Sequence, residues 1–325
     1  MYVDMIRMPA PSLDGGTWLQ SPPLSLDGFR GRPVCIDFWD YTSLPSLAGI
    51  PYLRQWHKRY QSFGTAFIGV HVPSYPFGGE RENVEAAIRR LQIPYPVVID
   101  DQGAIRKSFG IQSVPCRYIV DHAGFLRFYQ IGDEDYENTE LFLQQTLREM
   151  DSSLEMPGLQ QPLRVEDRVG GFTLPSTPEI VVAESIGNPD DVKVGREGTY
   201  EIPASLEDGR AYLSGRWEKS ERARVLSGEG GVRVIYKAAE VFLLAAHSSR
   251  AELEVRLDGQ PVEKAAHGED LSLAPGGEVR LVVDRPRPYQ VLRHDGVERH
   301  DLEIRASSPG LEIYSIQFAS RMPPL

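Results

Sequence analysis

The chain has 325 residues, 41% of them hydrophobic, enough for one large or two ordinary domains with proper cores. A formal net charge of -11 argues against a nucleic-acid or anionic-membrane partner, since both require clustered Lys and Arg. With only two cysteines a disulfide framework is excluded; the seven histidines show no metal-ligand spacing, and no apolar run approaches the ~18–20 residues that span a bilayer.

The opening stretch MYVDMIRMPAPSLDGG lacks a basic segment followed by an apolar one, so no export signal is expected and the cytoplasm is the simplest location. Strand and helix signals then alternate to about residue 150. PVCIDFW (33–39) is an apolar strand run, and 44–63 carries Leu47, Ile50, Leu53, Trp56 and Tyr60 at helical spacing. AFIGVHV (66–72) is a second strand, NVEAAIRRLQI (83–93) a helix, YPVVIDD (95–101) a third strand and GAIRKSFGI (103–111) a short helix. CRYIVD (116–121), the turn HAG and FLRFYQIG (125–132) form a hairpin, and 136–150 is a closing helix. That order predicts an α/β domain over 1–150 with parallel strands followed by an antiparallel hairpin.

Residues 151–175 are polar and rich in Pro and Gly, and read as a linker. From 176 to 325, short runs alternate polar and apolar residues between Gly, Pro, Asp and Ser, which predicts an all-β sandwich of jelly-roll type. Trp217, Tyr212, Tyr236 and Tyr289 are the only aromatics placed to stack on a glycan there, against the alternative that they pack in the core. DRPRPYQVLRHDGVERHD (284–301), dense in Arg, His and Asp, reads either as a binding loop or as a solvated hairpin, with His294 and His300 flanking a turn.

The first half resembles the thioredoxin superfamily, in its TlpA-like and DipZ-like redoxin branch. Asp37 stands six residues before Ser43, where that family has a buried acid before its first active-site cysteine; Phe38-Trp39 follow it. IPYLRQW (50–56), GVHVPSYPF (69–77) and the stretch from IPYPVVIDD onward carry the likeness, as does Val114-Pro115 at the family's cis-proline position. The all-β half resembles the domain that follows in DipZ-like proteins, most clearly in DLEIRASSPGLEIYSIQFA.

The departure lies at the chemistry. The family's Cys-x-x-Cys corresponds here to Ser43-Leu44-Pro45-Ser46, and hydroxyls supply neither a low-pKa thiolate nor a disulfide. Ser43 reads equally well as a helix N-cap with Pro45 in the first turn. Asp40, Pro45, Ala48 and Gly49 also depart from the family, which points to natural drift rather than designed changes.

The resemblance implies a redox-inactive protein that binds a peptide, a thiol or another small ligand in a groove beside Ser43, Trp39, Val114 and Pro115, without a cofactor or a metal. Two alternatives stay open: one-thiol oxidoreductase chemistry at Cys116, and carbohydrate binding through the β domain. Asp37 is the family's proton-moving acid, here without its cysteine. Cys35 is expected in the core, and Cys116 either there or at the groove. A peroxidase is rejected, because Thr42 has no cysteine in the required place. His71 reads as a loop support.

Overall fold

The computed structural model describes residues 8–168, 171–274 and 278–324. The first seven residues, part of the stretch read above as lacking leader character, lie outside them. The chain divides into two compact units, the second running Thr173–Met322 and the first comprising the remainder.

The first unit is a seven-stranded mixed sheet. Its strands are β1 (Met8–Pro9), β2 (Thr17–Leu19), β3 (Val34–Trp39), β4 (Ala66–His71), β5 (Val97–Ile99), β6 (Cys116–Val120) and β7 (Phe125–Ile131). They lie in the order β1-β7-β6-β3-β4-β5-β2. β3, β4 and β5 are parallel, and β6 and β7 form the antiparallel hairpin. The helices are α1 (Leu44–Tyr60), α2 (Arg81–Leu91), α3 (Ala104–Ser108) and α4 (Tyr136–Met150). This is the thioredoxin-like α/β arrangement. The two edge strands β1 and β2 were not foreseen: at two and three residues they are too short to show a period.

Period-two alternation gives the sheet two distinct faces. Val34, Ile36, Phe38, Cys116, Tyr118 and Val120 share an apolar cluster with Ile105 of α3, Phe109 and Ile111. Cys35, Asp37, Trp39 and Arg117 alternate with these residues. On their face Arg117 lies over the ring of Tyr136 in α4, and Tyr136 stacks on Tyr52 of α1 at 3.8 Å.

Residues 155–168 are not a free tether. The Leu163 amide donates to Tyr52 Oη (2.6 Å), and Tyr52 Oη donates to Asp167 Oδ2 (2.7 Å). Arg164 joins Asp167 to Asp133, and the Gln160 amide donates to Glu140 Oε2 (2.7 Å). The segment thus straps α1 to α4 within the first unit.

The second unit is all β. Its strands are β8 (Ile180–Val181), β9 (Arg196–Tyr200), β10 (Ala211–Lys219), β11 (Arg224–His247), β12 (Ala251–Leu257), β13 (Gln260–Pro261), β14 (Leu271–Leu273), β15 (Val279–Val283), β16 (Arg287–Ala306) and β17 (Leu311–Ala319). The main path runs β14-β15-β12-β16-β11-β10-β9. β11, 24 residues long, pairs with β10 along its first half and β17 along its second. Ile313 of β17 pairs with both Arg224 and Ala245, at opposite ends of β11, so the sheet folds back on itself around an apolar core. β11 and β16 are longer than the sequence pattern implies, because the irregular steps at Ala238–Glu240 and Val241–Phe242 are absorbed within one continuous ladder.

Candidate functional site

α1 starts where β3 ends, and the local sequence dictates how. Ser43 is extended (φ -103°, ψ 117°), its Oγ accepts the Ser46 amide (3.4 Å), and Pro45 occupies the first turn, where no amide hydrogen is required. Ser46 is fully buried, and its Oγ accepts the Asp40 amide (3.2 Å). Both hydroxyls at the cysteine positions therefore serve as backbone caps.

Asp40 organises the surrounding loops. It is completely buried; Oδ1 accepts the Thr42 amide (2.9 Å) and Oδ2 accepts the Ser74 amide (2.8 Å). His71 Nε2 lies 3.5 Å from Asp40 Oδ1 and accepts the Tyr41 amide at 3.3 Å. Burial pushes the Asp40 carboxyl up, but His71, the Ser74 side chain and the Thr42 amide outweigh it and hold the group below the usual carboxylate range. His71 is packed by Trp39 edge-on (5.0 Å) and by Tyr41 in a stack (5.3 Å). His71 thus holds the loop, and Asp40, which sequence reasoning passed over as mere drift, is the residue it works through.

The third loop arrives by register. Cys116 pairs with Phe38, so the Val114–Pro115 segment, whose peptide bond is cis, sits at the carboxyl end of β3 beside the start of α1. Three loops, 40–46, 73–79 and 112–115, converge where parallel strands of open α/β sheets characteristically present ligands. Ser43, Tyr75 and Val114 are half-buried and Pro45 is exposed, whereas Trp39 and Pro115 are buried behind them.

Neither thiol faces this groove as a nucleophile. Cys116 belongs to the apolar cluster on the α3 side of the sheet, and burial, aided by the Asp37 charge, pushes its thiol up to about 12. Burial does the same to Cys35, also to about 12. At neutral pH fewer than about one thiol in 10⁴ is then the reactive thiolate.

Beneath α1 lies a pair that the sequence half revealed. Asp37 is buried, and burial pushes its carboxyl up to about 7, with Arg117 opposing the rise. Arg117 Nε stands 3.6 Å from Asp37 Oδ1, too far for a hydrogen bond. Arg117 donates through Nη2 to the Gly132 carbonyl (2.8 Å), while its Nε and Nη1, Asp37 Oδ1, Tyr136 Oη and Trp39 Nε1 have no hydrogen-bond partner among the described residues. Arg117 gave no signal, since a charged residue in a strand ordinarily marks the solvent face.

In the second unit all four aromatics considered as sugar platforms are buried. Trp217 Nε1 donates to the Ser214 carbonyl (2.7 Å), Tyr212 Oη accepts the Glu207 amide (2.9 Å), and Tyr289 Oη accepts the Asp284 amide (3.0 Å). A stacking platform needs an exposed ring face, so these residues carry no glycan site. No cluster of three or more potential metal ligands occurs among the described residues.

Comparison with known proteins places this geometry. Residues 7–129 match the AhpC/TSA family, and residues 180–319 match the thioredoxin-like C-terminal domain. Protein DipZ of Mycobacterium bovis is 28% identical over 324 residues, covering 95% of this chain and 42% of DipZ. The thiol-disulfide oxidoreductase ResA of Geobacillus thermodenitrificans is 26% identical over 119 residues, 37% of this chain and 66% of ResA. A solved thiol:disulfide interchange protein of the thioredoxin family from Chlorobium tepidum is 22% identical, with a TM-score of 0.39 over 45% of this chain and 99% of that one. The chain spans less than half the length of its DipZ relatives.

Proposed function

For a chain similar to protein DipZ and to the thiol-disulfide oxidoreductase ResA, with a stretch matching the AhpC/TSA family followed by one matching the thioredoxin-like C-terminal domain, we propose binding without dithiol exchange. The groove formed by loops 40–46, 73–79 and 112–115 holds an extended peptide or a small ligand. The observation that carries this reading is the use of both hydroxyls: Ser43 Oγ caps Ser46 and Ser46 Oγ caps Asp40, so the turn keeps its shape with oxygen where its relatives' chemistry requires sulfur. The Asp40 network supports it further, because a surface fixed in advance loses less entropy on binding.

The test has two arms. In an insulin-reduction assay with dithiothreitol, the natural chain is expected to show no turnover above background, and the Ser43→Cys/Ser46→Cys variant to gain at least about 100-fold. In an NMR titration with reduced insulin B chain, amide shifts are expected to cluster at 40–46, 73–79 and 112–116. Turnover by the natural chain equal to that of the double variant, or no shift in those loops, overturns the proposal.

A further inference from the structure

The histidine-rich stretch of β16 has a geometry that the groove does not use. The register with β11 runs to Ala238↔Glu298 and resumes at Glu240↔Arg293, so His294–Val297 form a four-residue excursion from the ladder. The excursion is folded back: the His294 ring stacks on that of His300, with centroids 4.5 Å apart and planes 18° apart. The buried Tyr236 of β11 lies beneath the pair, its Oη 3.1 Å from His294 Nε2, and Phe318 of β17 stacks on the far side of Tyr236 at 5.4 Å.

Charge is distributed unevenly over the two imidazoles. His300 Nδ1 bonds Asp258 Oδ2 from the β12–β13 turn (2.8 Å), and its Nε2 lies 3.4 Å from Glu298 Oε2. The Asp301 amide also donates to Asp258 Oδ1 (2.9 Å), fixing that carboxylate in place. Among the described residues the hydrogen-bond partner of His294 is the neutral Tyr236 hydroxyl; Asp295, Glu298 and Asp258 act on it from farther off. Both nitrogens of His300 thus lie beside carboxylates, whereas a proton added to His294 places a charged ring face to face with its neighbour and has no carboxylate in direct contact to offset it.

We propose that the His294–His300 stack is a proton-operated latch: with His294 neutral the excursion is closed on Tyr236, and a proton on His294 releases residues 294–297 from the sheet. Burial and the neighbouring His300 both lower the proton affinity of His294, in keeping with a latch that stays closed at neutral pH and opens in mild acid. The released segment presents Asp295, Gly296 and Val297 while the ladders on either side persist.

Amide hydrogen exchange on the full chain tests this. Protection factors at 295–298 are expected to fall at least tenfold between pH 8 and pH 5, with Leu243 and Leu244 of β11 unchanged. In His294→Phe, which keeps a stacking ring and removes the proton site, the fall is expected to shrink below twofold. NMR titration of the natural chain's histidines supplies a readout that needs no variant: His294 is expected to protonate below the ordinary imidazole range. Equal protection at pH 8 and pH 5, loss spread over the whole sheet, or His294 protonating at or above the ordinary imidazole range each overturns the latch.

Discussion

Arg117 and Arg224 are both buried, one in each unit, and they are treated differently. Arg224 is saturated: Nε donates to the Val182 carbonyl (3.0 Å), Nη1 to Tyr200 Oη (3.2 Å) and Nη2 to Asp191 Oδ2 (2.9 Å). Arg117 uses only Nη2 and faces a carboxylate that it fails to reach. A buried charge with every donor paired holds a fold together; one left short of hydrogen-bond partners is not accounted for by folding.

The widest margin expected concerns access to sulfur. Cys35 and Cys116 in the folded chain should react with a maleimide at pH 7.5 at least about 10³-fold more slowly than in the urea-unfolded chain. Rapid labelling of either would place a working thiol in the first unit after all. Next in size, Arg224→Ala should lower stability by about 3 kcal/mol, read from the denaturation midpoint, because Asp191 and Tyr200 lose their partner. Arg117→Met should lose about 1 kcal/mol or less at pH 6, where Asp37 holds its proton. Equal losses would erase the distinction between the two arginines.

Asp37→Asn should raise stability, by on the order of 2 kcal/mol at pH 8. With its folded value near 7 and its ordinary value of 3.8, Asp37 keeps a proton that the unfolded chain releases. Its contribution is therefore intact below about pH 4 and lost as pH rises to about 7, so the benefit of the variant should vanish at pH 4. Asp40→Asn behaves oppositely and more weakly. Its depressed carboxyl stabilises the fold above the ordinary carboxylate range and ceases to do so in stronger acid, so the variant should lose about 1–2 kcal/mol at pH 7 and nothing at the acid end.

Long elements with a clear period were legible: β3, α1, the β6–β7 hairpin and the change to all-β architecture are visible as patterns of apolar residues. The helix cap at Ser43 was legible because its chemistry is local. Arg117, Asp40 and the strap around Arg164 were not, since each depends on contacts with residues far apart in sequence, and one polar residue has no period. The long strands β11 and β16 were read as several shorter ones because glycines and small residues mark bulges and turns alike.

The strap has a practical consequence for anyone dissecting the chain. A first-domain fragment ending at residue 150, at the close of α4, would remove Gln160, Leu163, Arg164 and Asp167. Tyr52 and Glu140 would lose partners on the two helices that cover the Asp37 face, and weak behaviour of such a truncation would reflect the cut rather than the domain. Carrying the fragment through Phe172 retains those contacts.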